Sequence, residues 1–124
     1  MKEAIATTLA PSAIGPYSQA IKCGNLLFCS GQIPVNPADG SVPDGIKAQA
    51  EQSLANVAAL LNAAGTSMDK VVKTSVFLSD MANFGAMNEV YASFFNPPYP
   101  ARSAVAVREL PKGVLLEVEV IAEL

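Results

Sequence analysis

From Ile46 onward apolar residues recur at three- and four-residue steps, through Ala50, Leu54, Val57, Ala58, Leu61 and Ala64, and Gly65 follows at once. This is one stripe of a helix, ended by the residue type that most easily turns left-handed. On both sides of it the period falls to two. Val71 to Leu78 alternates, with Val72, Thr74, Val76 and Leu78 on one side, and the runs Pro100–Val107 and Leu115–Ile121 alternate as well. Such runs predict strands. A second helical stripe, Phe84, Met87, Asn88, Tyr91, Phe94 and Phe95, begins behind Ser79 or Asp80 as a cap and stops at Asn96-Pro97-Pro98. Ahead of the first helix, Lys2–Ala6 reads as a short edge strand. Tyr17–Lys22 and Leu26–Ser30 then form a hairpin about Gly24-Asn25, and the proline-rich stretch Ile33–Asp44 is loop. The expected order is β-β-β-α-β-α-β-β, or one strand fewer. That is an α+β fold, a mixed β-sheet with two helices packed on one face and right-handed crossovers. No linker or repeat interrupts it, so residues 1–124 form a single domain.

Two helices leave the other sheet face open. The chain is 51% hydrophobic and only 15% charged, against roughly 25% charged in ordinary domains. So apolar a surface points to a homo-oligomer. The net charge of −3 comes without any dense Lys/Arg cluster, which argues against nucleic acid as a partner. Histidine is absent, which removes Ser-His-Asp and Cys-His nucleophilic systems and His metal sites. Two cysteines cannot alone supply a tetrahedral thiolate zinc site. In the Gly24-Asn25 hairpin Cys23 pairs with Leu26 and Cys29 with Ala20, so both thiols stay free. With no apolar leader and no apolar run of about 20 residues, a membrane is not expected and the cytoplasm is the expected compartment.

The chemistry concentrates near the C-terminus. Arg102, Ala104, Ala106 and Arg108 share one face of their run, and Leu115, Glu117, Glu119 and Ile121 share one face of theirs. If Glu109–Val114 is a hairpin loop and the valine faces lie together against the helices, Arg102 and Glu117 fall side by side on the open face. A fixed guanidinium beside a carboxylate suits a small acidic substrate and a water to be activated; the alternative is a structural ion pair. Asn88, a carboxamide inside an apolar stripe, either caps a loop or lines a pocket. Tyr17, after Gly15-Pro16, offers a ring with a polar tip. Ser30-Gly31 ends a strand where the Gly31 N–H is open to a carboxylate or oxyanion.

Gly15-Pro16-Tyr17-Ser18-Gln19-Ala20, Ser30-Gly31-Gln32-Ile33-Pro34, Val72-Lys73-Thr74, Phe77-Leu78, Asn88-Glu89-Val90-Tyr91, Pro100-Ala101-Arg102-Ser103 and Leu116-Glu117-Val118-Glu119 together resemble the RidA/YjgF family of reactive-intermediate deaminases. The resemblance runs from about Ala13 to Ala122 and implies a single RidA-like domain of chorismate-mutase-like fold. It also implies a homotrimer with clefts between subunits and no cofactor. The implied reaction is hydrolysis of 2-imino acids, 2-iminobutanoate and 2-iminopropanoate among them, to 2-oxo acids and ammonia. Carried over residue by residue, Arg102 grips the substrate carboxylate and Glu117 positions water. Tyr17, Ser30, Gly31, Asn88 and Ala104 fall at cleft positions. Ala104 stands where many members have cysteine, which removes any thiol role there. Two further readings remain open: a non-catalytic, carboxylate-binding regulatory trimer, and the RNA cleavage or translation inhibition attributed to some members.

Overall fold

All 124 residues are described in a computed structural model. Strand β1 (Lys2–Ile5) is followed by the hairpin β2 (Ala20–Cys23) and β3 (Leu26–Gln32). Helix α1 (Ile46–Ala63), strand β4 (Val71–Leu78), helix α2 (Phe84–Phe94) and strands β5 (Ala101–Ala106) and β6 (Leu116–Glu123) complete the chain. The hairpin has the expected register, Cys23 opposite Leu26 and Ala20 opposite Cys29. Cys23 is exposed, Cys29 is buried and both are free, with burial pushing the Cys29 thiol up to about 12. No helix is long and apolar enough to cross a membrane.

Helix α1 has no side-chain N-cap, since Gly45 occupies that position. A capping side chain would contribute about 1 kcal/mol. Packing compensates: Leu54, Val57, Leu60 and Leu61 are all essentially inaccessible, and each such side chain contributes roughly 2 kcal/mol. The helix ends as its sequence suggests. The Gly65 amide donates to Asn62 and the Thr66 amide to Leu61, with Gly65 at φ 84°, a Schellman turn. Before α2, Asp80 Oδ1 accepts from the Ala82 amide in a short 3₁₀ turn.

The six strands run in the order β1-β2-β3-β6-β4-β5. This corrects the expected C-terminal hairpin. Strand β5 pairs with β4 in parallel, and β6 lies antiparallel between β3 and β4. The connection between β5 and β6 arches over the end of β4, where Leu78 O accepts from Val107 N and Ser79 N donates to Leu115 O. Its Pro111–Gly113 segment is a 3₁₀ turn with Lys112 in the left-handed region, not a two-strand turn. Burial explains the choice. Leu116, Val118, Val120 and Ala122 fill the centre of the core beneath α1, whereas the small, mostly exposed residues of β5 suit an edge. A register shift between Val71 and Lys73 corrects a smaller expectation. Val71 is buried and Val72 is 41% exposed, while Thr74, Val76 and Leu78 face the helices as expected.

Candidate active site

Arg102 is level with Thr74 in the β4–β5 ladder, and Glu117 is level with Phe77 in the β4–β6 ladder. Thr74 is buried on the helix face. Paired residues share a face, so Arg102 points toward the helices. Glu117 alternates with the buried residues of β6 and therefore lies on the open face. The expected side-by-side pair does not form within one chain: β4 separates the two strands, and the side chains emerge on opposite faces. Of the two valine faces, only that of β6 packs on the helices; Val105 of β5 is 48% exposed on the open side.

On the helix face, Arg102 Nη1 donates to Asn88 Oδ1 at 2.7 Å. The Asn88 carboxamide therefore neither caps a loop nor stays unpartnered. The guanidinium carbon lies 4.7 Å from the Tyr91 ring centroid and 5.5 Å from that of Phe84. Asn88 and Arg102, with Tyr91, Ala92, Tyr99 and Pro100, line a cleft of about 400 Å³. One of the five guanidinium N–H groups is accounted for by Asn88, and no carboxylate of the chain pairs with Arg102, the one ion pair being Lys47–Glu89. Ala104, two residues along on the same face, packs partly buried against the core.

On the open face, Glu117 lies against Gly31. A Cβ on Gly31 would stand 2.7 Å from Glu117 Cδ, so only glycine lets the carboxyl group occupy that place. Partial burial pushes the Glu117 carboxyl above the usual carboxylate range, and Glu119 on the same face raises it further. Tyr17, 50% exposed, and Gly31 share a cleft of about 220 Å³. The Ser30 hydroxyl donates to the Ser18 carbonyl at 2.6 Å, tying β3 to the segment that carries Tyr17. The structure thus brings the expected residues together in two groups, Arg102 with Asn88 and Glu117 with Gly31 near Tyr17, and not in one.

Buried polar residues that the apolar periodicities pass over hold the second group. The Gln19 carboxamide donates to the carbonyls of Thr7, Ala10 and Pro11 and accepts from the Thr7 amide, fixing the approach to Tyr17. Along α1, Gln49 bonds to Pro43 O and Leu115 N, Ser53 to Gln32 O, and Asn56 to Ile33 O and Val35 O. Their spacing, four then three residues, was a signal present in the sequence. No cluster of three or more His, Cys, Asp or Glu side chains is placed to hold a metal ion.

A family model described as "Endoribonuclease L-PSP" matches residues 7–124. A RutC family protein of Pyrococcus horikoshii is 55% identical over 123 residues, covering 98% of each chain. The 2-iminobutanoate/2-iminopropanoate deaminase of Escherichia coli K12 is 50% identical over 125 residues, again covering 98% of each. Among solved structures, E. coli TdcF with bound serine superposes with a TM-score of 0.94 at 45% identity, covering 98% of both chains. With its motifs, its α+β sheet and these matches in agreement, the chain belongs to the Endoribonuclease L-PSP family, the RidA/YjgF family.

Proposed function

We propose that the protein is a cofactor-independent deaminase that hydrolyses 2-imino acids, such as 2-iminobutanoate and 2-iminopropanoate, to 2-oxo acids and ammonia. The observation that carries this reading is Arg102, oriented by Asn88 at the wall of a cleft and lacking any carboxylate partner. A guanidinium so held binds a carboxylate through a planar fork, which lysine cannot reproduce. The naming of relatives about 50% identical as deaminases of these imines supports the substrate class.

In this reading the site is completed between copies. Arg102 and Asn88 come from one subunit; Tyr17, Ser30, Gly31 and Glu117 come from the open face of its neighbour, in a homotrimer with three such clefts. The exposed apolar side chains of that face, Phe28 and Val105 among them, are the surface such an assembly would cover. Arg102 holds the imino acid by its carboxylate and turns the C=N carbon toward a water on Glu117. The imine is attacked in its protonated form: Glu117 takes a proton as the water oxygen bonds to that carbon, giving a neutral carbinolamine. Glu117 returns that proton to nitrogen; as the C–N bond breaks and ammonia leaves, the carbinol O–H gives its own proton back to Glu117 and its oxygen becomes the carbonyl of the 2-oxo acid. A carboxyl group raised above its ordinary value is the better base, and Glu117 meets that condition. Ala104, packed against the core on the Arg102 face, contributes no reactive atom.

The test couples a serine or threonine dehydratase to the protein and follows 2-oxo acid release. Acceleration by wild type that disappears in Arg102→Ala is expected. No acceleration by a folded wild-type oligomer overturns the proposal in favour of a carboxylate-binding role. The ribonuclease reading has the family description behind it and the acidic, histidine-free composition against it.

A further inference from the structure

Arg102 is held by more than Asn88. Tyr91 is 6% exposed inside the core, and its ring lies 4.7 Å from the guanidinium carbon. Its hydroxyl is 2.8 Å from Thr74 Oγ1, and Thr74 is completely buried. These two hydroxyls satisfy one another in a layer otherwise filled by Val76, Leu78, Met87 and Leu116. A valine and a phenylalanine would fill the same space without any polar group to satisfy. Thr74 is also the β4 residue level with Arg102 in the parallel ladder. The contacts close into a loop: the ladder sets Thr74 against Arg102, the Thr74 hydroxyl fixes the Tyr91 phenol, and the Tyr91 ring carries the guanidinium. Phe95, with its ring centroid 4.6 Å from that of Tyr91, packs against the same ring.

We propose that Tyr91, locked by Thr74, is a positioning residue for the carboxylate anchor, holding the Arg102 guanidinium so that its free N–H fork faces the cleft. This rests on the deaminase reading and adds to it a part for Tyr91, which lines the cleft beside the guanidinium, and for Thr74, which is buried behind it. An arginine stem left to itself samples many rotamers, and binding must then select one. A ring beneath the guanidinium removes that selection through a cation–π contact, and the hydroxyl pair keeps the ring from tilting away. Because carboxylate binding is shared by ground and transition states, loss of the support falls on KM and ligand affinity more than on kcat.

The experiment compares wild type with Tyr91→Leu, Tyr91→Phe and the double variant Thr74→Val/Tyr91→Phe. It measures 2-oxobutanoate affinity by calorimetry, KM and kcat for 2-iminobutanoate, and Tm. Tyr91→Leu is expected to weaken 2-oxobutanoate binding and raise KM roughly tenfold, with kcat changed far less. The double variant removes both hydroxyls together, so it should keep a Tm near wild type and yet bind 2-oxobutanoate several-fold more weakly. That combination separates positioning from structural support, and it decides the matter even if Tyr91→Leu fails to fold. A double variant with wild-type affinity and KM overturns the lock, and a loss confined to kcat overturns the positioning role. Wild type that binds no 2-oxobutanoate sinks the carboxylate site itself, and this proposal with it. Wild-type binding that a folded Tyr91→Leu retains sinks only the part given to Tyr91.

Discussion

Glu117 carries two demands that a carboxylate on open solvent would not meet. Its place against Gly31 removes water from one side of the carboxyl group, and Glu119 adds like charge on the same face. Both raise its pKa above the ordinary 4.5, so its base form is lost at a higher pH than that of a free glutamate. The acid limb of kcat/KM for imine hydrolysis should therefore lie above pH 4.5, and Glu119→Gln should move it downward; a limb that ignores Glu119 counts against Glu117 as the base. Linkage gives the matching stability statement. A carboxyl group whose folded pKa is raised costs nothing below its unfolded value and is destabilising once the pH has risen through both. Glu117→Gln should accordingly hold or increase Tm at pH 7 while turnover falls by about 10²–10⁴-fold, the usual worth of a general base.

Helix α1 does two jobs on adjacent stripes. Its leucines and valine build the core, while Ser53 and Asn56 satisfy the backbone of the segment leaving β3, just beyond Gly31, and Gln49 ties Pro43 O to the Leu115 amide. Asn56→Ala would leave the Val35 carbonyl without its donor and the Ile33 carbonyl with only the Val35 amide. The expected cost is about 2 kcal/mol in urea unfolding, together with faster amide exchange around residues 33–36. Only the core job was legible in the apolar pattern. The hairpin register at Gly24-Asn25 and the C-terminus of α1 at Gly65 were legible because a few neighbouring residues determine each. The place of β6 was not, because strand order depends on which strand can be buried on both sides by residues distant in sequence. Period-two alternation says which residues share a face of one strand and nothing of the strand beside it. For the same reason Arg102 and Glu117 could be singled out by residue type and motif, but the faces they occupy could not. The Thr74–Tyr91 pair was hidden too, since each residue is an ordinary choice for its own element.

At the scale of the molecule, the opposite faces of Arg102 and Glu117 lead to a prediction that no single-chain site would share. If each cleft draws its arginine from one subunit and its glutamate from the next, either variant alone silences every cleft. Arg102→Ala subunits still carry Glu117, however, and Glu117→Gln subunits still carry Arg102. Unfolding and refolding an equal mixture should place an intact arginine opposite an intact glutamate in about a quarter of the clefts of a closed cyclic assembly. Activity should therefore return to about a quarter of wild type, although neither parent shows any. Size-exclusion chromatography with light scattering on the same samples checks that the variants assemble. Assembled mixtures that stay inactive would require both residues to come from one chain, which the sheet order β3-β6-β4-β5 could allow only by bringing an edge side chain around to the opposite face. Recovery would make oligomerisation part of the chemistry, because a lone subunit holds half of each of two sites.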